Sequence, residues 1–420
     1  MMKHKISIWV IGLAFLLGSC GDHNNFLKGY MNQVSYNPND TAQLFFNVKK
    51  QNENEPLVLL DVKGRKIKSF ATKATPSKSN KNRVWMNSPK YKNVFELSLA
   101  DLQSGIYYFD RSSPFIVKPH KKSESKVLIV YPSNTVNAYN RYGGRSAYTD
   151  KKADALTFQR PMGFDKYSLP FLRWMADQDF KVDYICDRDM DNFNLNKYKV
   201  IIISGHSEYW TRKARRNFDS YINQGGHGVI LSGNTMWYQV RYEKDKMIVY
   251  KDYEKDAFAP DSLKTISWGE KRLNYPIEES IGLSFSYGGY GLKKDKGWNG
   301  YYIVNDSPLF KHTRIKVGDT LSVPTAEYDG ANLSFLEGVP RIINQRFMKS
   351  SLLGYDRAKG KANYGVFGVF KKNDSSGIII NVGSTNWCSD GFKGRDSEKI
   401  KKLTYNFIHY LLNDIPVFTD

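Results

Sequence analysis

Cysteine is scarce in this chain. Only Cys20, Cys186 and Cys388 occur in 420 residues. That is too few for a disulfide framework, and their spacing fits no zinc motif. Cys186 and Cys388 read as two unpaired thiols. Long apolar runs are lacking as well: past residue 17 nothing reaches the roughly 18 unbroken apolar residues of a membrane-crossing helix. There is no G-x-S-x-G elbow, no H-E-x-x-H and no Walker loop, so three common catalytic designs are excluded. No repeat with a period of roughly 20–50 residues is present. Acidic residues are outnumbered, 42 against 62 Lys and Arg, for a formal charge of +20. Much of the excess lies in loops such as "ATPSKSNKNR" and "KKSESK". Such loops suit either a solvated lysine-rich surface or contact with a polyanion or anionic membrane surface.

The N-terminus is set apart from the rest. Lys3 and Lys5 precede an apolar run from Ile6 to Leu17, and "LGSC" follows, ending at Cys20. This pattern predicts a signal peptide over 1–19 rather than a span. The motif resembles a bacterial lipobox, which implies lipidation of Cys20 and anchoring of the mature protein to the membrane of the cell envelope, on its extracytoplasmic side. Residues 20–28 would be the tether. An exported chain meets little nucleic acid, so that partner is set aside.

What is present is aromatic and patterned. Aromatic residues make up 14%, led by 28 tyrosines. Over 29–119 short apolar or alternating runs ("AQLFFNV", "EPLVLLDV", "RVWMN", "VFELSL", "GIYYFDR", "PFIVKP") stand between turn signals. Several short strands at this spacing predict an immunoglobulin-like β-sandwich. A charged linker follows at 118–126. From there "KVLIVYP", "KVDYICD", "YKVIIISG" and "HGVILSGN" read as buried strands, interleaved with helices at 168–179 and 211–226. Thr211 can cap the second helix, and Gly225-Gly226 ends it. The rhythm lapses at about 241–360, which reads as a β-rich insertion. It returns with "YGVFGVF", "GIIINVG" and a helix near 395–412. The expected architecture over 125–420 is therefore an α/β parallel sheet covered on both faces.

Ligands of open α/β sheets bind beyond the carboxyl ends of the strands. Those ends carry "PSNTVNAYNRYGGRSAY", "SGHSEYW", "SGNTMWY" and "GSTNWCSDGF". His206 and Glu208 stand two apart just after Gly205, so an extended turn can aim both into one crevice as acid and base or as metal ligands. The plainer alternative has His206 capping the next helix and Glu208 favouring its positive N-terminus. Cys388 could be a nucleophile or a small packing residue beside Trp387. His227 lies at the wrong end of its strand.

The same segments, with "LPFLRWM", "GGHGVILSGNTMWYQV" and the insertion's "LFKHTRIKVGDTLSVPTAEYDG", resemble the C-terminal domain of the N,N-dimethylformamidase large (beta) subunit over about residues 125–412. The resemblance implies a glutamine-amidotransferase-like, flavodoxin-like fold. It also implies amide hydrolysis at a mononuclear iron held by two tyrosines and a glutamate. By that carry-over Glu208 is the metal glutamate and Tyr139 one tyrosine, while Tyr142, Tyr148 and Tyr167 compete to be the other. His206 and Asn234 become neighbouring active-site residues, and Glu327 in "AEYDG" a catalytic carboxylate. The substrate would be a small molecule or something glycan-derived. Two other readings stay open. One is a non-catalytic surface lipoprotein whose crevice binds a saccharide or another envelope ligand. The other is a structural protein contacting an anionic envelope polymer.

Overall fold

A computed structural model describes residues 25–110, 112–291, 298, 300–343, 346–357 and 363–419. The expected signal peptide, Cys20 and most of the tether lie outside the described residues.

The first hundred described residues form two small sheets. One has three antiparallel strands, Phe26–Met31, Thr41–Val48 and Asn93–Ser98. The other has five, in the order Ser35–Tyr36, Phe115–Val117, Gly105–Phe109, Asn52–Asp61, Lys66–Ala74, and its first pair is parallel. In Thr41–Val48 every second residue is buried, the period of a half-covered strand. Leu44, Phe46, Leu57, Leu59, Phe109 and Phe115 close the core between the sheets. The run "RVWMN" is not a strand. Val84–Asn87 is a short helical turn, entered through Arg83 in the left-handed region.

Most of the remaining strands build one 11-stranded sheet, beside a four-stranded sheet (Ala155–Thr157, Lys246–Ile248, Tyr238–Glu243, Tyr209–Thr211) and the hairpin Leu333–Leu336 with Val339–Ile342, and here the expected fold class is overturned. Five strands are parallel, ordered Val182–Cys186, Val127–Tyr131, Val200–Gly205, His227–Ser232, Ile378–Asn381. The sheet does not stop there. Tyr364–Lys371 pairs antiparallel with Ile378–Asn381, and Lys349–Arg357, Tyr301–Ile303 and Thr320–Leu321 continue the antiparallel side. The chain is 35% strand and 16% helix, with mixed and antiparallel sheets, so it is not a flavodoxin-like parallel α/β fold. The reason lies in the segment 241–360 and the strand after it. Tyr364–Lys371 covers what would otherwise be an open sheet edge at Ile378–Asn381, the strands of 241–360 extend the sheet beyond it, and a covered edge cannot template unwanted pairing. Glu327–Gly330 joins the same sheet through Gly330 opposite Gly365.

At the carboxyl end of Val200–Gly205 the chain must turn at once. Gly205 does so at φ 74. A Cβ there would strike Asp165 Oδ2 and Ser168 Oγ. Gly205→Ala is therefore expected to destabilise the protein by about 2–4 kcal/mol, through strain at positive φ and overpacking. Urea denaturation of the two proteins measures it.

Candidate functional site

After Gly205 the chain passes through His206, Ser207 and Glu208 outside any regular element, with the His206 and Glu208 side chains 3.5 Å apart, before Tyr209–Thr211 re-enters a strand. His206 and Glu208 thus face one way and Ser207 the other, where its hydroxyl accepts from the Trp210 indole at 2.9 Å. The helix that follows is capped by Thr211, whose hydroxyl accepts from Ala214 N at 3.0 Å. His206 and Glu208 are therefore not needed at that helix. Both side chains are buried.

Glu208 is built into a line of phenols. Tyr148 donates its hydroxyl to Glu208 Oε1 at 2.6 Å, and Tyr209 donates to Tyr148 at 2.7 Å. Tyr139 stacks on Tyr148, with ring centres 4.1 Å apart, and its own ring lies 5.4 Å from that of His206. Burial, reinforced by the negative charge of Glu208, pushes the hydroxyls of Tyr139 and Tyr148 far above the usual phenol range. Of the three tyrosines left open by the sequence, Tyr148 is the one that reaches Glu208. Tyr142 bonds Tyr91 at 2.5 Å instead, and Tyr167 stands edge-on to His206 at 5.5 Å.

His206 Nε2 lies 3.2 Å from Glu327 Oε2 and 3.5 Å from Glu208 Oε2. Burial alone would lower the imidazole's pKa. The carboxylates of Glu327, Glu208 and Asp165 outweigh burial and lift it to about 9. Asn234 follows Gly233 in a left-handed turn (φ 50) and donates Nδ2 to Glu327 Oε2 at 2.8 Å. Gly233 admits no side chain there, since a Cβ would lie 2.6 Å from Glu327 O and from Thr385 N. Three of the four strand ends therefore meet at one point. The fourth does not present a side chain to it. Thr385 and Asn386 clamp the backbone of Ala326 and Glu327 (Thr385 N to Glu327 O 3.1 Å, Ala326 N to Asn386 Oδ1 2.8 Å) and so hold Glu327 in place. Cys388 is buried against Leu231 O, and burial pushes its thiol above the ordinary range. It is a packing residue.

Two further groups were missed by sequence reasoning. Lys251, in left-handed backbone (φ 56), sets its ammonium 3.4 Å from the centre of the Tyr148 ring, 4.5 Å from Tyr238 and 5.1 Å from Tyr209. Cations are attracted to such ring faces. Burial lowers the ammonium's pKa to about 8, against the pull of Glu208. No local motif marks Lys251, which sits in the segment taken for an insertion. Asp329, two residues beyond Glu327, accepts from Thr235 N at 3.2 Å, and burial raises its carboxyl to about 7.

A cleft of about 310 Å³ opens onto His206 and Glu327, walled by Tyr139, Phe164 and Tyr167. A larger cavity, about 970 Å³, lies at the junction of the small sheets and the 118–126 segment and contains none of these residues. Chemistry, not size, marks the site. Among the described residues no group of three His, Cys, Asp or Glu side chains is arranged to hold a metal. A metal here would depend on tyrosine oxygens. Glu208 Oε2 is buried and accepts no hydrogen bond, its nearest cation being His206 Nε2 at 3.5 Å, and the phenols of Tyr139 and Tyr148 stand beside it as further hard oxygen donors, the ligand type that a hard metal ion would need.

Residues 71–391 match the family model described as N,N-dimethylformamidase beta subunit-like, C-terminal. The chain belongs to that family. The match begins earlier than the resemblance read from the sequence and takes in part of the small sheets. No curated protein matches the chain significantly. Among solved structures, a catalytic mutant of Gan42B, a GH42 β-galactosidase from G. stearothermophilus, is 12% identical with a TM-score of 0.37, over 69% of this chain and 30% of its own. A β-galactosidase from Bacillus circulans is 14% identical with a TM-score of 0.37, over 70% and 32%. The chain spans about a third of the length of these two enzymes. A ThuA-like protein from Bacteroides uniformis is 14% identical with a TM-score of 0.34, over 70% and 93%. At these scores the likenesses carry no argument about fold or activity.

His206 has a folded pKa raised above its unfolded value near 6.5. It therefore contributes stability fully below that pH and loses it as pH rises through about 9. Removing the nearest carboxylate with Glu327→Gln is expected to make the His206 ring titrate at lower pH than in the parent, followed by NMR of the imidazole.

Proposed function

We propose that this protein is a metal-dependent hydrolase of amide-like C–N bonds. The observation that carries the reading is the meeting of Tyr139, Tyr148 and Glu208 beside His206, Glu327 and Asn234, with one buried oxygen of Glu208 left without a donor. Tyr139, Tyr148 and Glu208 would hold an iron ion. When bound, the ion supplies a Lewis acid for the amide carbonyl.

The chain's own residues do the rest. Glu327, oriented by Asn234, takes the proton of the attacking water. His206 carries a proton up to about pH 9 and can give it to the departing nitrogen, so that C–O forms as C–N breaks and the charge balances. The second N–H of Asn234 can meet the developing oxyanion. Lys251 keeps a positive charge against the ring of Tyr148 and attracts the neighbouring Glu208 carboxylate. Tyr139, Phe164 and Tyr167 line a space roomy enough for an amide that carries a ring, and this supports a larger or glycan-derived substrate. The lipid anchor at Cys20 and an extracytoplasmic place in the cell envelope belong to the same proposal.

Purified protein is expected to hold stoichiometric iron with a visible phenolate band. Glu208→Ala and Tyr148→Phe should each lose the band while the fold survives. Glu327→Gln should keep the iron and slow amide hydrolysis by roughly 100-fold or more, the usual range for a lost general base. Metal-free protein that instead binds oligosaccharide in the cleft overturns the hydrolase reading in favour of a saccharide-binding surface protein. For the anchor, radiolabelled palmitate is expected to enter the parent chain and not Cys20→Ser. Label in both, or in neither, refutes it.

A further inference from the structure

Tyr139 and Tyr148 reach Glu208 from a stretch with little regular structure. Ser133–Tyr139 is a short helix, and residues 140–154 are turns and bends. The segment has bonds of its own, Ala147 N to Ala138 O at 2.9 Å and Tyr148 N to Ser146 Oγ at 3.1 Å among them, but the carbonyls of Asn137, Tyr142 and Arg145 are gathered on a group outside it.

Arg160 is fully buried, and no carboxylate among the described residues pairs with it. Its guanidinium has five N–H groups, and every one is directed at the tyrosine segment. Nε donates to Asn137 Oδ1 at 3.3 Å. Nη2 donates to the same oxygen at 2.9 Å and to Asn137 O at 2.8 Å. Nη1 donates to Tyr142 O at 2.9 Å and Arg145 O at 3.3 Å. These oxygens lie on both sides of Tyr139 in sequence and up to three residues short of Tyr148. A buried cation without an anion is expensive. Burial alone lowers its pKa, to about 9. Carbonyl dipoles from one loop are its whole compensation, so cation and loop fold define each other. The far side is fixed too: Ser113 Oγ donates to Arg160 O at 3.2 Å and accepts from Met162 N at 2.8 Å, which ties Arg160 to the small sheets.

We propose that Arg160 is the positioning residue of the tyrosine pair: its guanidinium moulds residues 137–145 so that Tyr139 and Tyr148 stack and Tyr148 meets Glu208. This rests on the reading that the two phenols are functional, but it concerns their geometry alone. Lysine cannot replace it, because three donors on one point charge cannot span four separated oxygens.

The stacked pair supplies the test. Coupled tyrosine rings contribute to near-UV circular dichroism, and the pair's share is the band lost in Tyr139→Leu. In the full chain, well below its melting transition, Arg160→Lys is expected to lose at least half of that share with the tryptophan bands close to the parent, while the melting temperature falls because buried oxygens lose their donors. A merely structural arginine would instead weaken all aromatic bands in proportion. That result, or a folded Arg160→Lys that keeps the tyrosine share, overturns the proposal. Should Arg160→Lys fail to fold, Asn137→Ala removes the oxygen that accepts two of the five N–H groups and leaves the cation in place. It is expected to lose part of the same share, and an unchanged band overturns the proposal equally. Neither iron nor substrate enters the measurement. Failure here removes the role of Arg160 and leaves the hydrolase reading standing, while iron content unaffected by Glu208→Ala removes the hydrolase reading and leaves this one.

Discussion

A carboxyl group cut off from water sets the terms for the whole site. Glu208 is buried, and burial raises its pKa, with His206 and Lys251 pulling the other way. An isolated buried charge costs several kcal/mol, so a carboxylate is kept there only if the surroundings answer it. Three side chains do so. Tyr148 gives a hydroxyl hydrogen, His206 an imidazolium and Lys251 an ammonium. Only His206 is near Glu208 in sequence, and Thr135 fixes the Glu208 backbone by accepting its N–H at 2.9 Å. The fold is what makes the group affordable, and the group in turn explains why loops so far apart must meet.

Part of this was legible in the sequence. A β-branched run ending in Ser-Gly, followed by His and Glu two apart, has one simple solution: a buried strand, a left-handed glycine and an extended turn with both side chains on one side. Val200–Gly205 is that buried strand, Gly205 is left-handed, and the two side chains lie 3.5 Å apart. Thr211 as a cap was legible for the same reason, since capping is set by residues within one turn. Tyr148 was not separable from Tyr142 and Tyr167, because the choice depends on how an irregular loop is held by Arg160, twelve residues further on. Lys251 was invisible: it reaches its tyrosines from the segment 241–360, and no local pattern says which way that segment returns.

The error over fold class has a related cause. Periodicity shows that a strand is buried but not which direction its neighbour runs. "YGVFGVF" and "GIIINVG" read as further members of a parallel set, yet Tyr364–Lys371 and Ile378–Asn381 are an antiparallel pair joined by a short turn. Once that pair is antiparallel, the strands of 241–360 have an edge to extend, and the sheet grows to eleven strands. This is also how Glu327 arrives. Its strand is placed by that extension and pinned by Thr385 and Asn386 at the end of Ile378–Asn381. The segment that broke the rhythm supplies a carboxylate to the centre.

The small N-terminal sheets belong to the same construction. Gly143, at φ 89, leaves room for the Val84–Asn87 turn, where a Cβ would come within 2.7 Å of Val84 Cβ. The Arg145 guanidinium lies 4.7 Å from the Trp85 ring, Tyr91 bonds Tyr142, and Ser113 bonds the backbone on either side of Pro161. Each contact touches the tyrosine segment or its arginine. A boundary near residue 119 marks a change of sequence pattern, but the loop that carries Tyr139 and Tyr148 is packed from both sides of it. The family match, which starts at residue 71, therefore takes in Val84, Trp85, Tyr91 and Ser113, the part of the wall against which the tyrosine loop is packed.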